Sequence, residues 1–213
     1  VKEGYVMEFT DLARQRRSVR KFKDEPINKE EIVEIIRIAT QAPSPGNDQM
    51  WSFQVVINEE AKEKMVDIVT KKLERLIFEL KMNSEQYKQI IKAATFFVEA
   101  PAVIVVSTKQ YRSKIDAMLK ESGLNEKDID SLRARPDLQS VGAAIQNLLL
   151  AAWEKGYGTC WMTGPCIARH ELEVFLGITQ PRSLAALIPI GKPKIIPVSR
   201  GRKPLEDVVS FIE

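Results

Sequence analysis

Residues 137–154 constrain the fold more than any other stretch. Leu138, Val141, Ile145, Leu148 and Ala152 recur on one helical stripe, and Ala144 and Leu149 widen it. A helix that is apolar over so much of its circumference has to be covered on most sides. Gly156 supplies its stop. The sequence also offers strands to cover it. Residues 53–57 (Phe-Gln-Val-Val-Ile) are rich in β-branched side chains. Residues 101–106 (Pro-Ala-Val-Ile-Val-Val) form a nearly continuous apolar run, suited to a strand buried on both faces. Residues 157–161 and 184–190 read as two more strands. Helices interleave with these strands at irregular spacing. That predicts a mixed α+β or α/β sheet flanked by helices, not regular βαβ repetition.

The remaining elements follow from local signals. Residues 7–15 read as a short first helix. Asn28 is a good N-cap, Glu31 can complete a capping box, and Ile32, Ile35, Ile36 and Ala39 give one apolar face. Pro43 makes continuation past Ala42 unfavourable. Residues 59–99 are charged and helical, with a break expected near Asn83-Ser84. Residues 109–135 are polar, broken at Gly123 and Asn125, and read as a helical excursion over a site. Met162, Thr163, Gly164 and Pro165 form a loop before a helix at 167–176, which Gly177 ends. Beyond Pro193 a proline- and charge-rich arm, 194–213, runs over a surface. No repeat and no linker is visible, so residues 1–213 are expected to form one domain.

Several chemistries are excluded. The chain has 213 residues, 44% of them hydrophobic, which rules out wholesale disorder. The 32 basic and 29 acidic residues balance too closely to predict nucleic-acid binding. One His (His170) and two Cys (Cys160, Cys166) cannot assemble a four-ligand zinc site. No G-x-S-x-G elbow accompanies His170, which reads as a helix-surface residue. A disulfide between cysteines so close in sequence is not expected. Cys160 reads as a core residue, while Cys166, beside the 162–165 loop, is expected to be redox-sensitive. Residues 1–5 do not read as a signal peptide, and no apolar run reaches the ~18 residues of a membrane span. A soluble, cytoplasmic protein is expected.

What remains is a set of anion- and amide-recognising groups. Arg16, Arg17, Ser18 and Arg20 place three guanidiniums and a hydroxyl in five residues, and Arg200 and Arg202 form a second pair. A guanidinium presents a planar fork of donors that suits the oxygens of a phosphate or carboxylate. The glycine loops G-x-G-x-x-G and G-x-x-x-x-G-K-[ST] are absent, so any phosphate must be gripped by side chains. Arg16, Ser18, Arg200 and Arg202 are the natural set for a phosphate monoester. Asn47 and Gln49, behind Pro43 and Ser44, carry the donors and acceptors that a pyrimidine-like edge needs. The backbone N–H groups at Thr163 and Gly164 can point into a site at a strand's end. Singly, these are a solvated basic patch, a helix-to-strand loop and a turn. Together they point to one anionic, aromatic cofactor.

In order along the chain, R-R-S-V-R-K-F (16–22), the helix opening at Asn28, A-P-S-P-G-N-D-Q-M-W (42–51), P-A-V-I-V-V (101–106), G-Y-G-T-C-W-M-T-G-P (156–165), I-P-I-G-K-P (188–193) and R-G-R-K-P-L-E-D-V-V (200–209) resemble the FMN-dependent nitroreductases. The resemblance implies an α+β, three-layer α/β/α fold with a mixed, mainly antiparallel sheet. It implies an intertwined homodimer with FMN at the interface and with small-molecule electron acceptors as substrates. Arg16, Ser18, Arg200 and Arg202 would hold the FMN phosphate. Arg17 would lie along the ribityl chain and Arg20 near the pyrimidine ring. Pro43, Ser44, Asn47 and Gln49 would reach the flavin of the other subunit, and the Thr163–Gly164 backbone would face flavin N5. Met50 departs from the family, which often has proline there. The implied reaction is ping-pong: NADH or NADPH reduces the flavin, and a nitroarene, quinone or similar acceptor reoxidises it, with no catalytic side chain. Related dehydrogenases, dehalogenases and flavin-fragmenting enzymes use the same motifs, and an FMN storage or sensor protein is a further alternative.

Overall fold

The structure, a computed structural model, describes residues 8–80 and 84–212. Four strands form one sheet: β1 (Trp51–Val56), β2 (Ala102–Lys109), β3 (Gly158–Thr159) and β4 (Arg182–Gly191). Their order is β1-β2-β4-β3, and every neighbouring pair is antiparallel. The expected mixed character survives in one isolated parallel bridge, Ser18 to Thr159.

β2 lies between two strands and is buried over almost its whole length, as its unbroken apolar run predicts. Its side chains alternate between two cores. Ala102, Ile104 and Val106 join Ala186, Ile188 and Ile190 against α2 (Lys29–Ala39) and α7 (Pro136–Glu154). Val103 and Val105 join Leu184 and Leu187 against α3 (Glu59–Leu80), α4 (Ser84–Thr95) and α8 (Arg169–Leu176). A register shift at Val106/Ser107 puts Leu184 on the same face as Leu187. The result is an α+β fold in three layers, helices on either side of an antiparallel sheet. α1 (Phe9–Gln15) precedes this body, and α5 (Lys114–Glu121) and α6 (Glu126–Leu132) form the excursion.

Several sequence expectations need correction. The predicted start of α1 at Met7 and the predicted break at Asn83 lie outside the described residues. α7 is buried along Val141, Ile145, Leu148 and Ala152, but Leu138 is 43% exposed. It sits in the first turn, whose buried side is taken by Asp137, paired with Arg135 at 2.6 Å, and by Ser140. Asn28 does cap α2, accepting from Glu31 N at 3.0 Å, but Glu31 does not close the box. Its carboxylate accepts instead from the hydroxyl of Tyr157, joining α2 to the approach of β3. The strand expected at 157–161 shrinks to two residues. Pro189 of β4 offers its carbonyl to Cys160 N at 3.4 Å but has no N–H to return. Pairing resumes at the bridge between Met162 and Leu187. A 3₁₀ turn, Gly164–Ala168, then precedes α8. Among the described residues no helix is long and apolar enough to cross a membrane.

Candidate functional site

Residues 16–23 run along the open edge of β3 and fold back against the start of the C-terminal arm. Val19 N donates to Thr159 O at 2.9 Å, Lys23 N to Lys192 O at 2.9 Å, and Lys194 N to Lys21 O at 2.9 Å. Two glycines make this close approach feasible. A Cβ on Gly158 would lie 2.6 Å from Val19 Cγ2, and one on Gly191 would lie 2.5 Å from Pro101 Cδ and 3.2 Å from Phe22 Cδ1. Val19 is fully buried and Phe22 nearly so. These two side chains hold the segment down while its arginines stay partly accessible.

The arginines from the two ends of the chain meet. Arg16, Arg17, Ser18 and Arg20 line one cleft of about 190 Å³ with Pro197, Val198, Ser199, Arg200 and Arg202. Arg17 donates to the carbonyls of Arg14 and Arg16, Arg20 to that of Ser18, and Arg202 to that of Gly201. Among the described residues no carboxylate pairs with Arg16, Arg17, Arg20, Arg200 or Arg202. Partial burial depresses the basicity of the Arg16 guanidinium, and Arg202 and Arg17 beside it depress it further. Partly buried like charges without a counter-ion are unfavourable. A bound phosphate would supply the missing negative charge.

The 43–49 loop is held independently. Ser44 Oγ accepts from Gln49 N at 3.0 Å, and Gln49 Nε2 donates to Asn47 Oδ1 at 3.3 Å. Asn47 and Gln49 have φ values of 52° and 46°, a left-handed conformation uncommon for residues other than glycine. Asp48 pairs with Lys109 at 2.7 Å, and the Tyr111 ring lies over Gly46. Met50, where the family often has proline, is fully buried, and its carbonyl accepts from Arg182 and from Lys109 N. The departure therefore leaves the loop anchored, with both amide side chains exposed.

Within one chain the predicted residues do not share a single cavity. Pro43 and Ser44 line a groove with Pro136, Gln139, Ser140 and Ala143 at the start of α7, and none of these lines the arginine cleft. Thr163 and Gly164 lie four and five residues beyond Thr159, which pairs with Ser18. Both are exposed. Among the described residues neither backbone N–H is hydrogen-bonded. Such a pair of donors is available to an acceptor from outside the chain.

The cysteines are both free. Burial pushes the Cys166 thiol up to about 11, and its Sγ donates to Ala185 O at 3.6 Å. A thiol held protonated in this way is a poor nucleophile, so the expected redox sensitivity of Cys166 is not supported. Cys160 is buried against Ser18, and burial raises its pKa also. His170 is exposed on α8, as expected.

Sequence reasoning named no site residue between 59 and 99, yet a cleft larger than the arginine cleft is walled by that stretch. It measures about 720 Å³ and takes Gln89, Lys92, Ala93, Phe96 and Glu99 from α4 and the turn after it. Arg20, Lys21 and Lys194 close the other side. Arg20 belongs to this cleft and to the smaller one, so the two adjoin there. Gly164 packs on Ala94, next to Ala93 in the cleft wall. Only the spacing of Gln89, Lys92, Ala93 and Phe96 on one helical face could have hinted at this wall.

The family model described as "Nitroreductase family" matches residues 13–192. A BluB-like flavoprotein from Clostridium difficile 630 superposes with a TM-score of 0.88 at 34% identity, covering 98% of this chain and 100% of that one. YfhC of Bacillus subtilis, whose name assigns it provisionally as an NAD(P)H nitroreductase, is 27% identical over 200 residues, 92% of this chain and 90% of its own. An iodotyrosine deiodinase of Thermotoga neapolitana is 29% identical over 188 residues, 86% of this chain and 87% of its own. With the family model covering most of its length and the nitroreductase-like fold on both faces of the sheet, the chain belongs to the nitroreductase family.

Proposed function

We propose that the protein is an FMN-dependent oxidoreductase that takes electrons from NADH or NADPH and passes them in pairs to nitroaromatics, quinones or similar acceptors. The observation that carries this reading is the arginine cleft. Two segments about 180 residues apart supply five guanidiniums and the Ser18 hydroxyl to one site without a counter-ion. That donor set fits a dianionic phosphate monoester such as FMN carries. FMN, when bound, supplies the hydride chemistry that no side chain here can supply.

The chain's own residues position and stabilise. Arg16, Ser18, Arg200 and Arg202 hold the phosphate, and Arg17 lies along the ribityl chain. Arg20, shared between the two clefts, places a fixed positive charge beside the ring. The free N–H groups at Thr163 and Gly164 orient it. Pro43, Ser44, Asn47 and Gln49 act from the second copy of a homodimer, which accounts for their separation from the arginine cleft within one chain. The reading places the protein in the cytoplasm with its reductant.

The mechanism makes a kinetic prediction. Initial rates measured over a grid of NAD(P)H and nitroarene or quinone concentrations should give parallel double-reciprocal lines, as expected when one substrate leaves before the next binds. Intersecting lines would reject the alternating scheme, and a yellow protein that oxidises neither nucleotide would favour a storage or sensor role. Reductive dehalogenation is the second reading, supported by the deiodinase relative. Iodide release from 3-iodo-L-tyrosine exceeding nitroarene turnover would favour it.

A further inference from the structure

The loop that carries Asn47 and Gln49 has an unusual backbone. Gly46, Asn47 and Gln49 all have positive φ, at 62°, 52° and 46°. Asp48, between the two amides, has an ordinary helical φ of −75° and ψ of −13°. Left-handed backbone is unfavourable for asparagine and glutamine, so the surroundings must hold it. Bonds inside the loop do part of this. Asn47 N donates to Ser44 O at 3.0 Å, Asp48 N to Pro45 O at 3.2 Å, and Gln49 N to Ser44 Oγ at 3.0 Å. These bonds shape the loop but do not tie it to the sheet.

Lys109, the last residue of β2, supplies that tie. Its backbone N–H donates to Met50 O at 3.1 Å, and its ammonium group donates to Asp48 Oδ1 at 2.7 Å. One residue therefore grips the loop on both sides of Gln49. An ion pair on the surface contributes little, because two long side chains must be ordered to make it. This pair is better placed. Lys109 and Asp48 are only 34% and 35% exposed, and the chain after Lys109 is held from behind. Contacts alternate from residue 109 to 112, as along a strand. Lys109 and Tyr111 face the loop, and Tyr111 Oη lies 3.5 Å from where a Cβ on Gly46 would be. Gln110 and Arg112 face α6, and both donate to Asp130, Arg112 at 3.3 Å. Residues 109–112 thus form a strut between α6 and the loop.

We infer that Lys109 is a positioning residue of the flavin site. Through Asp48 and Met50 it keeps Asn47 and Gln49 in the left-handed conformation from which their amides reach the cofactor of the second subunit. The inference rests on the function proposed above. Lys109 acts through the loop and touches neither cofactor nor substrate. Its effect is geometric, since an amide that reads a ring edge must hold its donor and its acceptor in place together.

The test compares the wild type with Lys109→Met, Lys109→Arg, Asp48→Ala, Gln49→Ala and Lys109→Met/Gln49→Ala. FMN affinity is measured by fluorescence titration, and amide hydrogen exchange is measured on the FMN-free proteins. Lys109→Met and Asp48→Ala should each weaken FMN binding about tenfold, the equivalent of one charge-assisted bond. In the same two variants, exchange at the amides of residues 47–49 should quicken about tenfold, while β2 and β4 exchange as in the wild type. Lys109→Arg, which can still reach Asp48, should keep most of the affinity. Lys109→Met/Gln49→Ala should bind FMN little worse than the weaker single variant, because a displaced amide has little left to lose. A yellow wild type whose Lys109→Met variant keeps both its FMN affinity and its loop exchange rates would overturn the inference and leave the flavin reading standing. So would fully additive losses in the double variant, or exchange that quickens throughout the sheet, which would make Lys109 a residue of the fold. A wild type that stays colourless with FMN would overturn the inference together with the function it rests on.

Discussion

Replacing Gly158 with alanine is expected to cost the protein most of its affinity for FMN while preserving its fold. The added methyl would lie 2.6 Å from Val19 Cγ2, 2.7 Å from Cβ and 2.9 Å from Cγ1, so no rotation of the valine relieves the clash. Val19 is fully buried and, being β-branched, is stiff at χ1. The 16–22 segment must lift instead, straining the 2.9 Å bond from Val19 N to Thr159 O and moving Arg16, Ser18 and Arg20 together. Overpacking of this kind costs about 1–3 kcal/mol of stability. A displacement of about 1 Å at a preorganised site can cost about a hundredfold in function. FMN fluorescence titration should show a weakening of about that order. Adding Val19→Gly, which removes all three clashing atoms, should restore part of it. A Gly158→Ala protein with wild-type FMN affinity would refute the role given to this contact.

Arg16→Ala should separate binding from stability. Losing one charge-assisted contact to the phosphate is worth about 1.5–3 kcal/mol, or roughly ten- to a hundredfold in FMN affinity. Yet the same guanidinium is partly buried, lies beside Arg202 and Arg17, and has no counter-ion among the described residues. Its removal should leave the FMN-free protein as stable as the wild type, or more so, while the FMN-saturated protein loses its thermal shift. Arg16→Lys should fall between, because an ammonium keeps the charge but not the planar fork. Calorimetric melts with and without FMN read both effects. A large loss of stability in the FMN-free variant would mean that Arg16 serves the fold rather than an anion.

Legibility in the sequence followed the kind of force involved. The apolar run of β2 and the stripe of α7 were readable because burial leaves a periodic imprint. β3 was not, because its length depends on what β4 offers across the ladder, and Pro189 lacks the N–H to continue it. Glu31 was assigned to a cap by local spacing, while Tyr157, 126 residues away, claims its carboxylate. The meeting of residues 16–20 with 200–202 was anticipated because their guanidiniums suit one anion and no glycine loop is present to grip it instead, and the two segments do line one cleft. The packing of Val19 on Gly158 was not, since a glycine in a strand signals close approach without saying what approaches. The α4 wall was missed for a related reason. Its residues look like any solvated helix face, and only the return of Lys21 and Lys194 across from them makes a cleft.

The central claim is that the arginine cleft binds FMN and that the bound flavin takes electrons from a nicotinamide nucleotide. The most direct measurement is the absorbance spectrum of the purified protein, incubated with FMN and desalted, then mixed with NADPH in the absence of oxygen. The account predicts a yellow protein whose flavin bands bleach rapidly and return when a quinone is added. A protein that remains colourless after incubation with FMN would contradict it, and the arginines would then have to answer to a different anion.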